Sequence, residues 1–180
     1  MLDLATVLET ALQMGGEMSL PSDLRPYIRQ SDEHQRLDWI GNMELAVILD
    51  SATTGGQLTI VEIRAERGDA SPIHVHSSDD EAFLVLEGGM TVWVGDDRQE
   101  LGPGAIGFLP RELPHAFRFN KTSRALTLTT PAGQENFFRA AGWDLSQPKP
   151  DGWTITPEAL REAAAAHGTT VIGPPHGLAD

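Results

Sequence analysis

The feature that most constrains the fold is a series of short β-type segments between residues 44 and 130. Each is rich in β-branched or aromatic residues, and Gly-Gly, Gly-Asp-Asp, Gly-Pro-Gly and Asn-Lys turns separate them. The segments are ELAVILD, QLTIVEIRAE, EAFLVLEG, MTVWVG, AIGFLP, HAFRF and ALTLTT. Strands of this length and spacing are typical of a sandwich or barrel, so we predict an all-β fold.

Helical patterns flank the strands on both sides. Apolar residues recur at helical spacing from Leu4 to Leu12, which predicts an N-terminal helix followed by an irregular polar arm. Downstream, PAGQENFFRAAGW and ITPEALREAAAAHG predict two helices, the second with Thr156 as N-cap. The predicted parts are an N-terminal helix and arm (1–43), a barrel (44–130), and C-terminal helices and a tail that pack on the barrel (131–180).

Composition narrows the functional classes. The net charge of −13 disfavours binding to nucleic acid or to an anionic membrane, because both require a basic surface. The chain has no cysteine, which excludes disulfides and thiolate metal sites. Its N-terminus lacks the basic region of a signal peptide, and no apolar run approaches the ~18 residues of a membrane span. We therefore expect a cytoplasmic protein with a small-molecule partner.

The stretch HVHSSDDEAF holds the first candidate metal ligands. Alternate side chains of a strand share a face, so His74 and His76 should point the same way. Glu81 comes five residues after His76 and would face away in a continuous strand. It can join the histidines only if the SSDD segment turns the chain into a second strand, and its residues are common in turns.

His115 opens the segment HAFRF and is the one further histidine of the strand region. Three imidazoles and a carboxylate would form a mixed nitrogen and oxygen donor set, which suits a divalent first-row metal. The alternative is a pair of solvent-exposed histidines on an acidic loop. Spacing alone leaves both interpretations open.

Two motifs here resemble those of the cupin superfamily. The first, G-x5-HxH-x4-E-x6-G, matches at Gly68, His74, His76, Glu81 and Gly88. The second, G-x5-P-x-G-x2-H-x3-N, matches at Gly104, Pro110 and His115. It departs at two positions, because Glu112 replaces a glycine and Asn120 falls one residue late. The glycine usually lies in a turn, so we expect the loop before His115 to differ in shape.

This resemblance implies a double-stranded β-helix, or jelly-roll barrel, with short N- and C-terminal helices. It also implies one divalent transition metal ion, which could be Ni, Mn, Fe, Co, Cu or Zn. The ligands it implies are His74, His76, Glu81 and His115. Cupins frequently pair through barrel edges, so the resemblance further implies a homodimer.

The segments TGGQLTIVEI, PAGQENFF and VIGPP resemble a narrower group of cupins similar to bacterial quercetin 2,3-dioxygenase. That resemblance implies cleavage of a flavonol, or a similar aromatic or enolic substrate, by dioxygen with loss of carbon monoxide. Glu81 would then be the catalytic base as well as a ligand. We expect the substrate-binding walls to include Phe83, Trp93, Phe108 and Phe117. Two alternatives stay open: a cupin isomerase or decarboxylase, and a non-catalytic cupin that binds a metal or small ligand.

Overall fold

A computed structural model describes residues 25–176, whose framework is two antiparallel sheets. The strands are β1 Gln35–Asp38, β2 Glu44–Leu49, β3 Thr59–Ala65, β4 Ile73–His76, β5 Asp80–Glu87, β6 Met90–Val94, β7 Asp97–Leu101, β8 Ile106–Leu109, β9 His115–Phe119, β10 Ser123–Thr130, β11 Trp143–Asp144 and β12 Thr169–Gly173. The helices are α1 Ser51–Thr54, α2 Gln134–Ala141 and α3 Pro157–Ala166. The predicted N-terminal helix lies outside the described residues.

The two sheets pack face to face around one apolar core. One has the strand order β11-β1-β2-β3-β10-β5-β8, and the other has the order β12-β4-β9-β6-β7. Phe83 of the first sheet contacts Phe117 of the second, with ring centroids 5.0 Å apart. The predicted fold class, an all-β double-stranded β-helix, is confirmed.

Alternation along the strands decides which side chains enter the barrel. On β10, Ser123, Ala125, Thr127 and Thr129 are buried while the residues between them are less so. All seven segments predicted as strands overlap one of the strands observed, although β5 and β10 begin before the predicted segments. Three of the inward residues of β10 carry hydroxyl groups, so this strand brings polar atoms into an otherwise apolar interior.

Strands also form where the sequence shows no alternation. Gln35–Asp38 lie in the arm expected to be irregular, yet they form β1 and pair with β2 because Leu37 enters the core. Thr169–Gly173 form β12, which pairs with β4 at the other sheet's edge. Both pairings join segments that are polar or mixed in sequence, so only the tertiary partner reveals the strand.

The two helices after β10 close one end of the barrel. Phe137 and Phe138 of α2 contact Trp39 edge-on, with ring centroids 5.2 and 5.1 Å away. The predicted N-cap of α3 is confirmed, since Thr156 Oγ1 accepts a hydrogen bond of 3.2 Å from the Ala159 amide. Within residues 25–176 no helix is both long and apolar enough to cross a membrane.

A buried carboxylate fixes the start of α2. Glu135 is fully buried, and its oxygens accept hydrogen bonds from Ser51 Oγ at 2.6 Å and Thr59 Oγ1 at 2.5 Å. The Gly133 amide donates a third at 2.9 Å. Burial raises the pKa of Glu135, but the hydrogen bonds from Ser51 and Thr59 outweigh it and the pKa is lowered. This ionised group joins α1, β3 and α2.

We predict that Glu135→Gln lowers the free energy of unfolding by about 2 kcal/mol at pH 7, because hydrogen bonds to a charged group are lost. Urea unfolding in the presence of a chelator measures this, with Glu158→Gln on exposed α3 as control. The lowered pKa adds a pH signature. The contribution of ionised Glu135 to the free energy of unfolding is complete above its pKa in the unfolded chain, near 4.5. It is lost as the pH falls through the lower pKa of Glu135 in the folded protein. A deficit that persists unchanged at low pH would contradict the charge-based explanation.

Candidate metal centre

Three histidines meet at one end of the five-stranded sheet. His74 and His76 occupy alternate positions on β4, and His115 begins β9 directly opposite His74. All three are buried, and the rings of His74 and His115 have centroids 4.4 Å apart. The shared face of His74 and His76 follows from strand alternation.

Glu81 reaches the same point from the facing sheet. Residues 77–79 leave β4, and β5 begins at Asp80, so Glu81 points inward alongside Phe83. The three histidines and Glu81 each offer one ligand atom, and these atoms all lie within 4.8 Å of one another. The turn explains the odd spacing, but the strands it joins lie in opposite sheets and not side by side.

Contacts to the outer ring nitrogens orient the imidazoles. Nδ1 of His74 lies 2.8 Å from the Pro72 carbonyl, and Nδ1 of His115 lies 2.9 Å from the Leu113 carbonyl. A carbonyl only accepts, so these Nδ1 atoms carry the proton and each Nε2 keeps its lone pair for a metal.

The third imidazole has polar side chains around its outer nitrogen. Nδ1 of His76 lies 3.0 Å from Thr169 Oγ1 and 3.3 Å from Asp79 Oδ2. A carboxylate behind a ligand histidine is a common way to orient the ring and raise its basicity. Asp79 Oδ2 makes no hydrogen bond within the described residues, so its contact with His76 is electrostatic, and Asp79 lies behind the ring outside the candidate ligand set.

Electrostatics favour a neutral imidazole at His74 and an anionic carboxylate at Glu81. Burial lowers the pKa of His74 to about 3, so its imidazole is neutral at neutral pH. Burial alone raises the pKa of Glu81, but the neighbouring imidazoles of His115 and His76 outweigh it and hold that pKa well below its usual range. Neutral imidazole and ionised carboxylate are the forms that bind metals. Burial lowers the pKa of His76, but Glu81 and Asp79 outweigh it and that pKa is raised, so a metal would displace a proton from His76 on binding.

The two oxygens of Glu81 have different surroundings. Oε1 accepts hydrogen bonds from Thr127 Oγ1 at 2.7 Å and Gln134 Nε2 at 3.4 Å. Oε2 and His115 Nε2 lie 3.3 Å apart, yet both are buried without a hydrogen-bond partner. Such unpartnered atoms are costly unless a cation binds them. The donor set thus fits one divalent first-row metal ion, held by the three histidines and Glu81.

The loop before His115 departs from the cupin motif without losing its backbone conformation. Glu112, at the position of the motif glycine, has a φ of +65°, in the left-handed region that favours glycine. Its amide donates a hydrogen bond of 2.8 Å to the carbonyl of His76. This bond ties the loop to β4, so the substitution changes the side chain but keeps the turn next to the ligands.

An apolar cavity of about 50 Å³ lies beside the candidate ligands. Phe83 and Phe117 line it together with His74 and Glu81. Each phenylalanine lies two residues beyond a ligand on the same strand, which is why its face could be predicted from the sequence.

The other two aromatic residues expected at the cavity lie elsewhere. Trp93 stacks on His176 with ring centroids 4.7 Å apart, while its neighbour Val92 takes the inward position. Phe108 is 62% exposed on the edge strand β8, and Leu109 is buried instead. Strands β6 and β8 carry no candidate ligand from which alternate positions could be counted. Which of their side chains point inward therefore depends on how each strand pairs with its neighbour.

The sequence patterns missed three residues that support the ligands. Thr127 and Gln134 contact Glu81, and Thr169 contacts His76. The alternation of β10 could have placed Thr127 inside the barrel. No local signal identifies Gln134 or Thr169, because the start of α2 and β12 bring them to the site.

The model of the Cupin domain family matches residues 61–131, which span β3 to the end of β10 and contain all four candidate ligands. The chain contains a cupin domain. This cupin is 28% identical to quercetin 2,3-dioxygenase of Bacillus subtilis over 151 residues. The alignment covers 82% of this chain and 44% of that protein, so the chain spans less than half the relative's length.

Solved structures share the fold of this cupin. KdgF from Halomonas sp. has a TM-score of 0.56 and 19% identity, with 62% of this chain and 98% of that chain covered. An RmlC-like cupin from Shewanella frigidimarina has a TM-score of 0.55 and 18% identity, with coverage of 63% and 97%. At these identities the likeness establishes the fold alone.

We predict that Asp79→Asn weakens metal binding by about 10–100-fold, because the carboxylate that faces His76 Nδ1 is lost. Competition with a chromogenic chelator measures the affinity. Asp80→Asn is the matched control, since Asp80 is the next residue but pairs with Arg111, at 2.9 Å. Equal affinity losses in the two variants would show that Asp79 has no specific role.

Proposed function

We propose that this cupin is a metal-dependent dioxygenase of the quercetinase type. Its substrate would be a flavonol or a similar aromatic or enolic compound. The observation that carries the proposal is the buried Glu81, with Oε1 held by Thr127 and Gln134 while Oε2 faces the histidines. The sequence similarity to quercetin 2,3-dioxygenase supports this reaction class.

A metal bound by the three histidines and Glu81 would act as a Lewis acid that stabilises negative charge on the substrate oxygen. Glu81 would also be the base that accepts the proton of the substrate hydroxyl group, while Thr127 and Gln134 hold Oε1 by donating hydrogen bonds to it. The lowered pKa of Glu81 keeps the carboxylate ionised before the substrate arrives. Thr127 and Gln134 prevent it from rotating away.

The cavity walls suit an aromatic substrate. Phe83, Phe117 and Phe137 line the space next to Glu81 and exclude water, which strengthens electrostatic interactions at the reacting group. Among the described residues no lysine, arginine or tyrosine lines this cavity. A sugar or other polar substrate would need such groups, so the walls argue against the isomerase or decarboxylase alternative.

We predict that Glu81→Gln reduces flavonol-dependent oxygen uptake by at least about 100-fold, because the base is removed. An oxygen electrode measures uptake by wild type and variant after reconstitution with each candidate metal, and elemental analysis gives the metal content of each sample. Glu87→Gln, at the exposed end of the same strand, is the control. No uptake by metal-loaded wild type across a flavonol panel would remove the dioxygenase proposal and leave a non-catalytic binding function.

Cytoplasmic localisation and homodimer formation stay predictions. The edge strand β8 exposes Ile106 and Phe108, at 64% and 62%, on the side away from the core. An exposed apolar edge of this kind suits pairing with a second copy. Sedimentation equilibrium measures the oligomeric state.

A further inference from the structure

The cavity beside Glu81 is too small for a whole flavonol. Its 50 Å³ has room for about one or two water molecules, whereas pockets for drug-sized ligands measure roughly 300–1,000 Å³. A second space of about 670 Å³ lies against it, between α3, β12 and the loop before β4. We call this second space the outer groove, and its volume falls within the range for such ligands.

A thin apolar partition separates the two spaces. Four residues line both the cavity and the outer groove: Ile40, Pro72, Leu160 and Val171. Val171 is paired with His74 in the β4–β12 register, and the carbonyl of Pro72 contacts Nδ1 of the same histidine. The partition therefore stands directly beside a candidate metal ligand.

The lining of the outer groove indicates the kind of molecule that fits it. Ile155 and Ile172 add apolar surface to that of the partition, and Arg161 is the single charged residue among the described residues that line it. A groove without carboxylates is notable in a chain of net charge −13. Apolar walls with one cation at the rim suit a flat aromatic body that carries phenolic hydroxyl or phenolate groups.

We propose that the outer groove binds the body of an aromatic phenolic substrate and that Leu160 controls the passage of its reactive end to the metal cavity. This inference rests on the proposed function for the chemistry at Glu81, but the groove itself is a separate binding site. It gives the substrate a place that the 50 Å³ cavity does not provide.

Leu160 is better able to move than Pro72 or Val171. Val171 is held in β12 by its pairing with β4, and Pro72 precedes that strand with its carbonyl in contact with His74. Leu160 lies on α3, whose buried side chains are the small Ala163 and Ala164. Leu160 itself packs against the core but is only partly buried, so its side chain can change rotamer at lower cost than an enclosed one.

Equilibrium dialysis with quercetin, on metal-free and metal-loaded protein, tests the groove. Ile172→Asn places an amide in the groove at a residue that is 55% exposed, and it should raise the Kd about tenfold in both forms. Ile28→Asn is the matched control, at an isoleucine that is 80% exposed and outside the groove. It should leave the Kd within about twofold.

Leu160→Ala tests the passage. It should lower the Kd of the metal-loaded protein about tenfold, because the substrate no longer has to displace a side chain to reach the metal. The Kd of the metal-free protein should stay within about twofold, as should both values for Leu145→Ala, at an exposed leucine outside the groove.

The two proposals fail in different ways. Quercetin that does not bind, or binds equally well to wild type and Ile172→Asn, overturns the groove even if oxygen uptake is observed. Binding that responds to Ile172→Asn without any turnover supports the groove and removes the dioxygenase. A Kd unchanged by Leu160→Ala in metal-loaded protein overturns the role of Leu160 in the passage.

Discussion

The buried carboxylate of Glu81 sets a requirement that the rest of the site meets. A charge inside a protein without a partner costs several kcal/mol, so both oxygens need compensation. Thr127 and Gln134 satisfy Oε1, and a cation among the histidines would satisfy Oε2. The jelly roll supplies those histidines because β4 and β9 pair with His74 opposite His115, facing the strand that carries Glu81.

Features that depend on a single strand or turn could be predicted from the sequence. Strand alternation predicted that His74 and His76 share a face. The SSDD turn starts a new strand, so Glu81 can face the histidines although it lies an odd number of residues after His76. Phe83 and Phe117 each follow a ligand by two residues, so their inward position required no knowledge of the partner strands. Local chemistry and strand periodicity therefore account for the ligands and the nearest walls.

Features that depend on pairing between distant segments could not be predicted in the same way. Trp93 and Phe108 lie on strands without a ligand, and their faces follow from hairpin register. Gln134 reaches Glu81 from the first residue of α2, which Glu135 fixes through contacts with β3 and α1. Strand β12 has a mixed sequence and is recognisable only through its partner β4. Tertiary partners decide each of these placements.

The parts that could be predicted from the sequence hold the candidate metal ligands, and several of the parts that could not be predicted lie at the proposed substrate groove. The cupin family match ends at residue 131 and contains every candidate ligand. Pro72 of the partition lies within the matched range and Ile40 before it, but the rest of the partition and much of the outer groove come from α3 and β12, which lie beyond residue 131. A change at Leu160 or Ile172 can alter which molecules reach the metal without touching a ligand. In the proposed arrangement the motif supplies the donor set, while α3 and β12 supply Leu160, Val171 and Ile172, which act on what reaches it.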